Sequence, residues 1–132
     1  MIEKSKIKKG LIFWKSCESV IRIPNSNIYI KSPAGLMQIE EFVNYNLVTC
    51  SLYCKELFGA QVVVASDYIK KYATEIVLDN ADRQEMVHLH NSIAFERLIN
   101  HDWSTKVPDS LKRRVSNFLC RDFYQKYNLK EE

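Results

Sequence analysis

The stretch from Leu36 to Phe58 constrains this chain more than any other. Leu36, Ile39, Phe42, Val43, Leu47, Cys50, Cys54, Leu57 and Phe58 recur at the three- and four-residue spacing of one helix face, and Val48, Leu52 and Tyr53 widen that stripe. The pattern predicts one long helix, about 35 Å from end to end at 1.5 Å per residue. A helix apolar on more than one face must be buried on more than one side. In a chain of 132 residues that implies a partner, most simply a second copy. Phe42, Val43, Leu47, Cys50, Cys54 and Leu57 are then the dimer interface.

The flanking segments fill in the rest. Residues 10–32 have strand character, with apolar runs at Leu11-Ile12-Phe13-Trp14, Val20-Ile21 with Ile23, and Ile28-Tyr29-Ile30. Pro24-Asn25-Ser26-Asn27 is a turn signal between the last two. Ser32-Pro33-Ala34-Gly35 breaks the strand before the long helix, and Gly59 closes that helix as a C-terminal cap. Val62-Val63-Val64 is a β-branched run that fits no single element type. Ser66 or Asp67 caps a second helix carrying Tyr68, Ile69, Tyr72, Ile76 and Val77. Asp82-Arg83-Gln84-Glu85 reads as a capping box opening a third helix, with Met86, Leu89 and Ile93 on one row and Val87, Ala94 and Leu98 on the next. Pro108 suits the first turn of a fourth, carrying Leu111, Val115, Phe118, Leu119 and Phe123. The expected fold is α+β, mainly α: one domain over 1–132. It has a small antiparallel β unit at 1–34, a helical core at 35–102 and a basic C-terminal helix at 103–132.

Apolar residues at 46% and charged residues at 27% are ordinary for a globular domain, and three Gly and three Pro argue against linkers or a fibrous repeat. The net charge of +3 is unevenly spread. Residues 1–31 hold 7 basic and 2 acidic groups, residues 32–102 hold 5 and 10, and residues 103–132 hold 7 and 4. Basic ends fit phosphate backbone or an acidic protein, although solvated lysines give the same count. Lys112, Arg113, Arg114 and Arg121, interleaved with Tyr124, Lys126 and Tyr127, are the first candidates for DNA contact. Lys8 and Lys9, with Lys4 and Lys6, form a second basic arm.

The four cysteines, Cys17, Cys50, Cys54 and Cys120, make no disulfide framework or zinc-ligand spacing; Cys50 and Cys54 read as small apolar residues. No secretory apolar region follows Met1, and Lys55 and Glu56 interrupt the best apolar run. The chain therefore reads as cytoplasmic, with no membrane partner, no metal and no cofactor. No catalytic signature stands out. Arg83 and His88 have the Arg-x4-His spacing found in helical ribonucleases of the HEPN type, where a cation steadies the phosphorane and His moves a proton. A helix-turn-helix reading around Gly59 fails on Lys55, which stands where a small residue is needed, and on the Val62–Val64 run.

Phe42-Val43-Asn44-Tyr45-Asn46-Leu47 through Lys55-Glu56-Leu57, and Met86-Val87-His88-Leu89-His90-Asn91-Ser92 through Phe95-Glu96-Arg97, resemble the two helical blocks of the FlhD family. FlhD is the helical subunit of the bacterial flagellar master regulator, with relatives that switch on conjugative transfer genes. The resemblance spans roughly residues 38–103. It departs from the family at Val64-Ala65-Ser66-Asp67, at 1–34 and in the basic C-terminal helix. It implies an intertwined dimer, a zinc-bearing partner subunit and promoter DNA. Three functions follow as expectations. The first is a non-enzymatic DNA-associated transcriptional regulator, dimeric or hetero-oligomeric. The second is a protein-binding module of a mobile element, of the immunity, anti-defence or adaptor kind. The third is a small ribonuclease using Arg83 and His88.

Overall fold

The stretch that reads as one long helix is two antiparallel strands joined by a tight turn. The computed structural model describes residues 2–15, 19–22, 27, 29–32, 35–55, 57–102, 104 and 106–129. After a single 3-10 turn at Lys4–Lys6 come strands β1 (Ile12–Lys15), β2 (Ser19–Arg22), β3 (Tyr29–Ser32), β4 (Gly35–Phe42), β5 (Leu47–Tyr53) and β6 (Gln61–Ala65). Helix α1 (Ser66–Tyr72), strand β7 (Ala73–Glu75) and helices α2 (Asn80–Ile99), α3 (Asp109–Phe118) and α4 (Arg121–Lys126) follow. The described strands form one seven-stranded sheet in the order β3-β2-β6-β5-β4-β1-β7, and every pairing is antiparallel.

This overturns the mainly α expectation. The sheet runs from residue 12 to residue 75, so it is neither small nor confined to 1–34, and residues 35–102 are not a helical core. The reason lies in β4 and β5. Val48, Cys50 and Leu52 point to one face of the sheet; Thr49, Ser51 and Tyr53 point to the other. Both faces of this central strand are covered, so all but the first of its residues are buried. Tyr53, Leu57 and Phe58 add apolar residues beyond the Val48-Cys50-Leu52 face, and together they also satisfy a helical period. The chain reverses at Asn44, whose Oδ1 accepts from the backbone N–H of Asn46 (2.8 Å) and of Leu47 (3.0 Å), a turn that an Asx side chain builds locally. The long dimerising helix therefore does not exist. Cys50 is wholly buried in the sheet's own core, Leu47, Cys54 and Leu57 are half-buried, and only Phe42 and Val43 lie exposed, at the hairpin tip. Gly59 caps no helix. It takes φ +84° in the loop from β5 to β6, where its N–H donates to Leu52 O at 2.7 Å.

Two cores sandwich the sheet. On one face Ile12, Trp14, Leu36, Tyr53 and Phe58 meet Met86, Leu89 and Ile93 of α2, Val115 and Phe118 of α3, and Phe123 of α4. On the other, Phe13, Met37, Ile39, Val48, Cys50, Leu52, Val62 and Val64 meet Ile69 of α1 and the N-terminal Ile2. A bulge between Ile39 and Glu41 breaks the β4–β5 register, and Ser51 Oγ donates to Glu40 Oε1 at 2.8 Å.

The helices stand close to where periodicity puts them, with shifted ends. The second ends at Tyr72, and β7 follows it as an edge strand on β1. Helix α2 is capped by Asp79, which accepts from the N–H of Asp82 at 2.8 Å, so the helix starts before Asp82. Pro108 is the N-cap of α3, and the single basic C-terminal helix is two, broken at Leu119-Cys120. Strands β2 and β3 pair as a hairpin, Val20 opposite Lys31. The turn residues Pro24, Asn25 and Ser26, the breaker Pro33-Ala34, and Ile23, Ile28, Cys17 and Glu56 lie outside the described residues.

Candidate nucleic-acid interface

The N-terminal segment carries alternating anchors and cations. Ile2 and Leu11 are buried, Ile7 is half-buried, and Lys4, Lys6, Lys8 and Lys9 are exposed between them. The anchors dock the segment on the sheet: Ile2 N–H donates to Lys70 O (3.2 Å), Gly10 N–H to Ile39 O (2.8 Å) and Ile39 N–H to Leu11 O (2.9 Å). Gly10 sits at φ +93°, the left-handed region that turns the chain into β1. The lysines are therefore held outward by packing along a fixed path.

Two depressions flank this path and share its residues. One, of about 580 Å3, is lined by Lys6, Lys8, Lys9, Gly10, Leu11, Ile12, Gln38, Glu75, Ile76, Val77 and Arg83. The other, of about 800 Å3, is lined by Lys4, Ile7, Phe42, Asn44, Tyr45, Asn46, Ser66, Asp67 and Lys70. The sheet thus brings Arg83, at the start of α2, and Lys70, on α1, to either side of the arm. Among the described residues six cations, Lys4, Lys6, Lys8, Lys9, Lys70 and Arg83, line the two hollows against two carboxylates, Glu75 and Asp67. Only Lys6 pairs with one of them, its Nζ standing 3.3 Å from Glu75 Oε1. Arg83 donates to the Leu78 carbonyl at 3.4 Å and makes no ion pair among the described residues.

The other basic region is built differently. Lys112 Nζ lies 2.8 Å from Asp109 Oδ1, and Arg114 Nε 3.1 Å from Glu85 Oε1. Lys126 bonds Asp79 and stands 3.0 Å from Asp82. The bond from Lys126, with the N–H of Asp82, holds the Asp79 carboxyl below its ordinary value, and Lys112 does the same for Asp109. A hollow of about 400 Å3 at this corner is lined by both signs of charge. Of the C-terminal candidates, Arg113 and Arg121 alone are exposed without an ion pair among the described residues.

Two further polar groups among the described residues are buried in the core. Tyr53 OH donates to Gln38 Oε1 at 3.4 Å and stands 3.2 Å from His90 Nδ1; burial and then Glu40 push its hydroxyl up to about 12. Burial likewise pushes the Cys50 thiol up to about 12, so it stays protonated and inert. Arg83 and His88 are both exposed on α2, and of the two Arg83 lines the hollow beside Lys8 and Lys9. Among the described residues no three His, Cys, Asp or Glu side chains converge as metal ligands, and no helix is long and apolar enough to cross a membrane.

Sequence reasoning reached Lys8 and Lys9 but missed Lys70, the place of Arg83 beside them, and the exposed aromatics at the hairpin tip. The Asn44-Tyr45-Asn46 triplet was the available signal: a turn composition with a ring in its middle. Comparison with models of protein families found no match, and comparison with characterised proteins and with solved structures found none either.

Proposed function

We propose that this chain is a non-enzymatic nucleic-acid-associated regulator that holds phosphate backbone along its N-terminal arm. One observation carries the reading: Lys4, Lys6, Lys8, Lys9, Lys70 and Arg83 line two hollows on either side of a single docked segment. Several cations held outward on one fixed segment suit a polyanion, and each phosphate neutralised releases counterions. A small-molecule anion needs a convergent site, and these groups are strung out instead. The FlhD likeness lends no weight to this reading, because its first block is strand and turn here.

The test is fluorescence anisotropy with a labelled 20-nucleotide DNA, single-stranded and duplex, titrated between 50 and 200 mM salt. Binding whose logarithm falls linearly with the logarithm of salt, with a slope of roughly −3.6 to −5.4 on duplex, is the expected result for four to six contacts. No binding at 50 mM, or an affinity indifferent to salt, removes the proposal.

A second reading rests on α2. Its inner row, Met86, Leu89 and Ile93, is buried, but Val87, Phe95, Leu98 and Ile99 are 49 to 68% exposed on its outer side. The occupant that fits is a second copy of the chain. Two α2 helices crossing antiparallel about Asn91 would set Val87 against Phe95, and Arg83 against the partner's C-terminal turn, where helix carbonyls and Asp102 favour a cation. One helix of this length offers about 30 Å by 10 Å of contact, well under the roughly 800 Å2 per partner of a stable interface. The pairing would be weak and concentration-dependent. Sedimentation of wild type and Leu98→Glu checks it: reversible dimerisation lost in the variant is expected, and a wild-type monomer at every concentration ends it.

A further inference from the structure

The larger hollow, at the tip of the β4–β5 hairpin, differs from the rest of the basic strip because it holds aromatic rings. Tyr45 is 96% exposed and Phe42 46% exposed, and both line the hollow together with Lys4 and Lys70. Tyr45 thus presents both faces of its ring to whatever enters the hollow. Its backbone is nevertheless fixed. Ser66 Oγ donates to the Tyr45 carbonyl at 3.0 Å, Ser66 N–H donates to the Asn46 carbonyl at 2.9 Å, and Asn44 Oδ1 closes the turn from within. The backbone that carries the ring is thus fixed, and little backbone freedom remains to be lost when a ligand covers the ring.

We infer that this hollow is a stacking subsite for an unpaired nucleobase, so that the chain binds single strands in preference to duplex. The inference rests on the phosphate-binding reading above. The elements a nucleotide needs are together in about 800 Å3, within the range of small-molecule pockets. Tyr45 and Phe42 offer ring faces, and Lys4 and Lys70 offer cations for the flanking phosphates. The turn consumes Asn44 Oδ1 but leaves its amide N–H groups to meet a base edge. The Asp67 carboxylate repels phosphate and is an acceptor for base N–H groups. Lys4 belongs to the same docked segment as Lys6, Lys8 and Lys9, which line the neighbouring hollow. A duplex interior cannot enter, since its base faces are already stacked and its pairing edges used.

The test uses the full chain and two labelled probes, a 20-nucleotide oligothymidine and a 20-base-pair duplex, at 50 mM salt. Wild type should bind the single strand more tightly. Tyr45→Ala should weaken single-strand binding by roughly 5- to 150-fold, the range for loss of one base–aromatic stack, and Tyr45→Phe should restore it. The duplex affinity and the salt slope should move little, because a ring carries no charge. Tyr45 packs on nothing, so an unchanged melting temperature should accompany the loss. If Tyr45→Ala binds the single strand like wild type while Lys8→Ala/Lys9→Ala does not, the subsite is wrong and the phosphate reading stands. An equal loss on both probes also overturns the subsite. If neither probe binds wild type, the phosphate reading itself has failed.

Discussion

The arm before β1 and the pair α3–α4 are both rich in Lys and Arg, and they use the charge in opposite ways. On the arm, cations alternate with Ile2, Ile7 and Leu11, which plug into the core beneath the sheet, so the charges are pushed outward. Among the described residues, Lys8 and Lys9 have no acidic partner. On α3 and α4, Lys112, Arg114 and Lys126 are met by Asp109, Glu85, Asp79 and Asp82. Three of those acids belong to α2 or its cap, so these ion pairs knit the C-terminal helices to α2. A basic count in a sequence is therefore no measure of basic surface. The acidic middle of the chain, which reads as a separate charge block, is spent partly on neutralising the C-terminal end.

Charge reversal in the arm should have the largest effect. Lys8→Glu/Lys9→Glu removes two phosphate contacts, each contributing about 0.9 logarithmic units per tenfold change of salt, so affinity for DNA should fall by roughly 60-fold or more at 0.1 M salt. Anisotropy titration measures it, and a loss of less than threefold would equate the two regions. Next comes a change that makes the C-terminal region resemble the arm. Glu85→Gln leaves Arg114 unpaired and should tighten DNA binding by up to about 8-fold, the value of one added contact at the same salt. Arg114→Ala should leave DNA affinity unaltered and lower stability by less than about 1 kcal/mol in denaturant titration, as exposed ion pairs generally do.

The smallest effect is a pH dependence. The Asp79 carboxyl is held below its ordinary value of 3.8 by Lys126 and the Asp82 N–H. A carboxyl depressed by folding contributes stability above its unfolded pKa, and that contribution is lost as pH falls through the folded value. Asp79→Asn keeps an equally good helix cap and removes only the charge. Its melting temperature should lie slightly below wild type at pH 7, and the gap should close as pH drops below about 4, a threshold set by the reference carboxylate value. A gap that widens in acid would contradict the ion-pair account.

How much of this was legible in the chain depended on one-sided burial. The inner row of α2, Met86, Leu89 and Ile93, was readable because those positions repeat every three to four residues with polar groups between them. Its start was displaced because Asp79 and Asp82 both look like caps, and only the fold shows that Asp79 accepts from the N–H of Asp82. The centre of the sheet was not readable. Along β5, Thr49 and Ser51 alternate with Val48, Cys50 and Leu52, a period of two, but Tyr53, Cys54, Leu57 and Phe58 also satisfy the helical period. Asn44, Tyr45 and Asn46 break the run with turn chemistry, and weighting them above the apolar spacing would have split the helix into a hairpin. At the interface, Lys8 and Lys9 were visible as a cluster. Lys70 and Arg83 were not, because they stand more than sixty residues away and reach the arm only through the pairing of β7 with β1 and the packing of α1.

The claim that the arm, and not the C-terminal helices, touches phosphate can be put to one measurement. Salt slopes of duplex binding are determined side by side for wild type, Lys8→Ala/Lys9→Ala and Arg113→Ala/Arg121→Ala. The account predicts a slope shallower by about 1.8 for the first variant and an unchanged slope for the second. A slope that flattens only when Arg113 and Arg121 are removed would contradict it.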